Sequence, residues 1–426
     1  MRVWIVTVGE PLPFDPGNPR LLRAGILARM MAGSGHDVTW WNSTVIHSQK
    51  TLRFNRTTEM RVDARLNTVS LHGGLYTSNI SIARIWNHIR VAAAFWRHAK
   101  DRQAPDLILC SMPTVELCAV SALLKKRFGA RLVIDIRDNW PDIWVEAAPA
   151  PFKPLVTLAI QPWQWMLSWS LSKADRVIGF TDKAVDWAFT KMRRKRTAQD
   201  IGVPMAYEIQ VFSDDVLERA RYAWDGKGVT SDCATICMIG TLTSRFSNLM
   251  LDAIAALRMI PVQNRRKIRL VFAGAGEAAA KLKAAAADMS EVVFPGWIGA
   301  PDIQVLMERS CGGLLPYPNT DDFLLSFPNK SIEYLAGGLP IITCLKGQIG
   351  ALIAHENCGF TYEQGDVAGL AAVFTQVLDN PGLFAEKGRR SKALYERRFT
   401  PERLYGDLIA ELEKTNVMAA NNIQEK

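Results

Sequence analysis

The chain has 426 residues, 48% apolar and 22% charged, with a formal net charge of +9. These proportions exclude a disordered, collagenous or repeat chain, and the length exceeds what one hydrophobic core serves, so two domains are expected. The charge is uneven: residues 1–205 carry 28 Lys and Arg against 16 Asp and Glu, a net of +12, while residues 206–426 carry 23 against 26, a net of −3. A basic half joined to a near-neutral half suggests that one half meets an anionic surface, either lipid or nucleic acid.

In chain order, the apolar run in "MRVWIVTVGEPLPF" is too short before Glu10 and Pro11 for a signal peptide and reads as a first strand. Strand-like runs follow at 37–41, 106–111, 131–136 and 175–181, with a helix over 82–98 whose Ile82, Ile85, Ile89, Ala92 and Trp96 form one apolar stripe. A polar stretch without strong period, near 205–230, marks the join. Further runs stand at 234–240, 268–274, 291–296, 312–317, 340–343 and 358–363. Runs this apolar fit strands covered on both faces, and their alternation with helices implies right-handed parallel crossovers. Two such sets predict two doubly wound domains, 1–210 and 211–400. A helix follows over 401–414, opened by Thr400 and Pro401, and then an unstructured tail over 415–426. The seven cysteines read as buried reduced thiols without metal-ligand spacing, and no Asp, Glu or His cluster has that spacing either.

Ligands of parallel sheets bind beyond the carboxyl ends of strands, where helix N-termini face them. After the first strand a Pro/Gly loop over 9–19, containing Gly17, leads to a helix expected to open at Pro19 with Arg20 in its first turn. That arrangement suits an anion. "MIGTLTSRFSNLML" repeats the pattern with Gly240 and Arg245, and "FAGAGE" supplies Gly274 and Gly276 for close backbone approach. It lacks the full dinucleotide fingerprint, which argues against an NAD site. In "LLSFPNKSIEYLAGG", Lys330 at a helix start can neutralise a phosphate, and Glu333 one turn on can accept hydrogen bonds from ribose hydroxyls. The plainer alternative, a surface ion pair between the two, fits poorly with the apolar flanks.

"PNKSIEYLAGGLPII" resembles the signature of retaining GT-B fold glycosyltransferases of the large group 1 family. "GSGHDVTWW" is similar to that family's turn into its second strand, and "DIRDNWPDIW" looks like a segment of members acting on bacterial surface polysaccharides. The resemblance implies an α/β GT-B fold, two Rossmann-like domains facing across a cleft, with room for the C-terminal helix to cross back to the first. It implies a UDP- or GDP-sugar donor in the second domain: Glu333 on ribose, Gly240 and Arg245 at the diphosphate, and Trp297 and Ile298 at the base. Ser326 and Asn329 complete the donor set. The chain departs from the family at the first carboxylate of its E-x7-E motif, where Leu325 stands, followed by Ser326. Retention needs no separate nucleophile, so Arg245 and Lys330 would stabilise the leaving diphosphate, and Asp138 would position or deprotonate the acceptor hydroxyl. A cap or turn role is as good a reading of Asp138. His36 reads as a turn residue. No metal or other cofactor is implied; the nucleotide-sugar is a co-substrate.

Between Lys153 and Lys173 lie nineteen uncharged residues. Their prolines, glutamines and tryptophans argue against a membrane span and for an interfacial segment over 152–173, or equally for a buried hairpin. With "KMRRKR" over 191–196 and the basic first half, this suggests a cytoplasmic protein held peripherally on the inner face of a membrane. There it would act on a lipid-linked saccharide acceptor contacted by Gly17 and Arg20. The alternatives are a nucleotide-sugar 2-epimerase of the same architecture and a nucleic-acid-binding protein. The basic residues lack the aromatic interleaving that nucleic-acid binders show, so no nucleic-acid partner is expected.

Overall fold

The computed structural model describes residues 1–17, 19–78, 81–320, 323–324 and 326–424; for Ala147 and residues 415–424 the description is of backbone alone. The chain forms two compact units, Met1–Ala206 with Leu404–Lys426, and Tyr207–Arg403.

The first unit is built on a seven-stranded sheet in the order β5-β6-β2-β1-β7-β8-β9. Its strands are β1 (Arg2–Val6), β2 (Asp37–Ser43), β5 (Thr58–Arg61), β6 (Leu66–Leu71), β7 (Leu107–Met112), β8 (Arg131–Ile136) and β9 (Arg176–Gly179); β3 (Val45–Ile46) and β4 (Thr51–Leu52) form a separate hairpin. Alternate side chains of the central strands feed two cores. Trp4 and Val6 face one with α2 (Ile82–Ala99), α3 (Val115–Phe128) and α6 (Gln161–Lys173). Val3 and Ile5 face the other with α1 (Arg23–Gly33) and the C-terminal helix Pro401–Gln424. Continuous apolar runs such as β7 are buried on both sides for this reason. Four strands escaped the sequence reading here, β3, β4, β5 and β6. The β5 strand pairs antiparallel, so this sheet is parallel except at its edge.

Three further expectations change. Helix α2 forms where expected, but Ile82 and Ile89 of its apolar stripe point outward, at 74% and 39% exposure. Ala92 of the stripe is buried and Trp96 packs against the core, but beside them Asn87, His88, Val91 and Phe95 are buried, because the packed face is the one turned to the sheet. The C-terminal helix runs to Gln424, past the expected end at Lys414; no proline or glycine interrupts residues 415–424. The polar stretch near 205–230, read as lacking strong period, contains a helix of the second unit, Asp214–Asp225, that buries Leu217, Ala220 and Trp224.

The second unit holds a six-stranded sheet ordered β12-β11-β10-β13-β14-β15. These are β10 (Ala234–Ile239), β11 (Ile268–Ala273), β12 (Val292–Gly296), β13 (Ser310–Leu315), β14 (Ile341–Thr343) and β15 (Gly359–Thr361). All register pairs are parallel. Renumbered within the unit, the order is 3-2-1-4-5-6, and the strand order reverses between β10 and β13. Doubly wound sheets open a ligand crevice at that point, outside the carboxyl ends.

The segment 152–173 is not a buried hairpin. It comprises α5 (Lys153–Ala159), which buries nothing, and α6, which buries only Leu167, Ser170 and Leu171. A short helix α4 (Ile143–Ala147) precedes it. Among the described residues no helix is long and apolar enough to cross a membrane.

Candidate functional site

At the switch point of the second sheet a cavity of about 460 Å³ opens between the ends of β10, β11 and β13. Gly240, Gly274, Trp297, Ile298, Asn329 and Lys330 all line it, so six of the expected donor-side residues meet in one place. Thr241, Phe246 and Tyr317 line it too and were missed by the sequence reading. They are ordinary residue types in loops, with no spacing signal to mark them.

The floor is made by two loops in direct backbone contact. Gly240 donates to the Ala273 carbonyl at 2.9 Å and Leu242 to that of Ala275 at 3.0 Å. A Cβ on Gly274 would lie 1.8 Å from the Gly240 carbonyl oxygen, so this position admits only glycine. Gly240 has φ +149, and the Lys330 side chain passes 3.6 Å from where its Cβ would be. Beyond Gly240, the loop 241–246 is fastened by Glu277. Its carboxylate accepts from the Ser244 amide at 2.9 Å and from the hydroxyls of Thr243 at 2.9 Å and Ser244 at 3.1 Å. Led by the Ser244 amide, these bonds hold the Glu277 carboxyl down at about 2. Arg245 on this loop lies over the Phe323 ring at 5.1 Å.

The helix Asn329–Ala336 begins at the cavity wall without a side-chain cap. It is anchored by Tyr334, whose hydroxyl accepts from the Ile239 amide at 3.0 Å and donates to the Leu314 carbonyl at 3.2 Å. Tyr334 thereby ties the helix to the ends of β10 and β13, the two strands that flank the switch point. Lys330 Nζ and Glu333 Oε2 are joined at 2.6 Å, so the ion pair that the sequence reading disfavoured does form. It is not a surface pair: the Glu333 side chain is 4% exposed, while that of Lys330 is 26% exposed and lines the cavity. The hydroxyl of Ser326 donates to the Phe323 carbonyl at 3.3 Å, a local turn bond. Leu325, the departure from the motif, lies outside the described residues. Trp297 is largely exposed, presenting its ring at the rim.

In the first unit, the anion site expected at the start of α1 is occupied by the protein itself. The helix opens at Arg23, not Pro19, and the amides of Ala24 and Gly25 donate to the Glu10 carboxylate at 3.1 and 3.4 Å. Glu10 is paired in turn with Arg137, whose Nε donates to Asp135 Oδ2 at 2.7 Å; Asp135 also binds Arg23 at 2.6 Å with both side chains fully buried. A carboxylate already satisfies the helix dipole, which removes the electrostatic reason for a ligand to bind there. Gly17 is exposed and Arg20 half-buried in the loop ahead of the helix. That loop is held by Asp15, which receives both Nε and a terminal nitrogen of buried Arg53 at 2.5 and 2.6 Å.

Asp138 stands just beyond β8. Its Oδ1 accepts from the Asn139 amide at 2.9 Å, the turn role weighed above, and burial pushes its carboxyl upward against the pull of that amide and of Arg84. His36 accepts its structural role: it bridges the N-terminus and Glu413 of the C-terminal helix at 3.2 and 2.6 Å. All seven cysteines are free, and among the described residues no group of three or more His, Cys, Asp or Glu could hold a metal.

Residues 23–199 match the glycosyl transferase 4-like domain and residues 233–380 match the glycosyl transferases group 1 domain. Sucrose-phosphate synthase from Thermosynechococcus elongatus superimposes with a TM-score of 0.70 at 16% identity, covering 97% of this chain and 99% of that one. Anabaena Alr3699/HepE in complex with UDP-glucose gives 0.62 at 14% identity, covering 97% and 100%. Glycogen synthase of Mycobacterium tuberculosis is 30% identical over 104 residues, which span 24% of this chain and 23% of that protein. The fold is GT-B, and each unit carries a region similar to a glycosyltransferase domain. The two matched regions fall one in each unit.

Proposed function

We infer that the protein transfers a sugar from a nucleotide-sugar, UDP-linked in preference to GDP-linked, onto a lipid-linked saccharide in cell-surface polysaccharide synthesis, with retention of configuration. The observation that carries the donor half is the switch-point cavity, lined by Gly240, Gly274, Asn329 and Lys330 with Glu333 buried behind them. The UDP-glucose held by the Anabaena neighbour supports uridine as the base. In this reading the diphosphate settles on the capless start of the helix Asn329–Ala336 and draws Lys330 off Glu333. The released carboxylate then accepts from the ribose hydroxyls. Arg245 and Lys330 stabilise charge on the departing diphosphate, so catalysis is largely electrostatic. Ser326 and Asn329 face the sugar side, and Asp138 positions the acceptor hydroxyl.

The acceptor half rests on the surface of the first unit. Phe152, Leu155, Leu158, Trp165 and Trp169 are exposed together on the segment around α5 and α6, in the unit that carries the excess of basic residues. Apolar and indole side chains beside lysines suit the inner face of an anionic membrane, where each nearby basic residue contributes about 1 kcal/mol.

Calorimetry with UDP and GDP tests the donor assignment. Glu333→Ala should weaken UDP binding by about tenfold or more, the cost of a lost hydrogen bond to a charged group; unchanged affinity removes Glu333 from the ribose. Release of free nucleoside diphosphate only when acceptor is supplied separates transfer from 2-epimerisation.

A further inference from the structure

Two connections of the first unit, and the helix that follows one of them, converge at the carboxyl edge of its sheet. The hairpin after β2 brings His47 and Lys50, the segment after β6 brings Tyr76, and the first turns of α2 bring Arg84 and His88. His47 Nδ1 and the Tyr76 hydroxyl share a hydrogen bond of 2.7 Å, and Lys50 Nζ lies 3.3 Å from the same nitrogen. Lys50 Nζ is 5.3 Å from the Tyr76 ring centre, and the Arg84 guanidinium is 5.9 Å from it and 5.4 Å from that of Trp140. Two cations therefore stand near one aromatic ring, and burial, then Arg84, pushes the Lys50 ammonium below its ordinary pKa.

Lys50 also holds an unfavourable backbone. Its φ is +56, in the hairpin turn between β3 and β4, where glycine would sit without strain. A lysine kept there against its conformational preference points to a use for its ammonium. The histidines report the same positive field: burial first, then Lys50 and Arg84, pushes His47 down to about 4, and burial and Arg84 push His88 down to about 3. Neutral imidazoles beside a phenol leave hydrogen-bonding groups with no added charge, so the site suits a multiply charged anion.

We propose that His47, Lys50, Tyr76 and Arg84 form the site that takes the phosphate or pyrophosphate group of the acceptor, in place of the Gly17–Arg20 loop. This rests on the reading of an acceptor bound by the first unit. It places the anionic group on the sheet edge that also carries Asp138, so the acceptor would be held by its charged end while its hydroxyl is presented.

Inorganic pyrophosphate titrated calorimetrically into the full chain tests it, in a Lys330→Ala background that deletes the donor-side diphosphate contact. Binding is expected, and Lys50→Gly and Arg84→Gln should each weaken it by about tenfold or more. Lys50→Gly should melt no lower than its parent, since glycine adopts that turn freely. No heat in the parent, or undiminished affinity in both variants, overturns the site. UDP binding, measured separately on the Lys50→Gly and Arg84→Gln proteins, judges the donor assignment by itself. Sedimentation with phosphatidylcholine vesicles, with and without phosphatidic acid, assigns the source of the anion. A loss for Arg84→Gln only on the phosphatidic acid vesicles indicates a lipid headgroup; unchanged sedimentation beside lost pyrophosphate affinity indicates a soluble phosphate ester.

Discussion

Gly274 shows how much of the candidate site depends on one missing methyl. Its Cβ would fall 1.8 Å from the Gly240 oxygen, and backbone on both sides leaves nothing flexible to yield. Gly274→Ala should therefore cost on the order of 3 kcal/mol by overpacking and abolish nucleotide binding together with it, read by urea unfolding and by UDP calorimetry on one preparation. His88 makes a different prediction. Its pKa in the folded protein is lowered from 6.5 to about 3 by burial, then by Arg84 and His47. Between those two values the unfolded chain binds a proton that the folded one refuses, so stability must fall as pH drops below 6.5. The slope for one such group is about 1.4 kcal/mol per pH unit. Unfolding free energies of His88→Gln across this window should show a shallower acid loss than those of the parent. Equal slopes would mean that His88 already titrates normally. Lys330 and Glu333 carry a further lesson at this scale. Their types and spacing were legible, but whether they would face a ligand or each other was not, because a 2.6 Å contact is set by rotamers that neighbouring loops impose.

Among the elements, the segment of α5 and α6 separates what a composition can say from what packing decides. Its tryptophans are equivalent in sequence and unequal in space. Trp163 packs against the core and donates to Glu116 at 2.8 Å, whereas Trp165 is 70% exposed. Serine at Trp165 and Trp169 should release the protein from anionic vesicles and leave its melting temperature nearly unchanged. Serine at Trp163 should instead destabilise it by about 3 kcal/mol. Equal vesicle binding by the Trp165 and Trp169 variant would remove the segment from the membrane. Helix α2 teaches the same point in reverse. The apolar stripe had the right period and reached the core at Ala92 and Trp96, but its Ile82 and Ile89 face outward, since α2 carries apolar residues on two sides and only the sheet selects between them.

For the molecule as a whole, the chain's last helix belongs to its first unit. Tyr405, Leu408 and Leu412 are buried in the core with α1, and the Tyr405 hydroxyl accepts from the Ala206 amide at 2.9 Å. Tyr405→Ala should cost about 3–5 kcal/mol, as large aromatic truncations do. The loss should be reported by a probe in the first unit, with UDP affinity in the second preserved; an unfolding curve indistinguishable from the parent's would detach the helix. The sequence by itself determined the two α/β halves, most of the strands that build their parallel sheets and six residues of one cavity. Apolar runs, turn glycines and helix starts are local properties, written wherever they act. Only the tertiary structure decided that Glu10 fills the anion site of α1, that Lys330 rests on Glu333, and that Lys50, Tyr76 and Arg84 share one edge. Those facts join residues far apart in the chain or turn on side-chain direction, and neither is encoded in any short stretch of it.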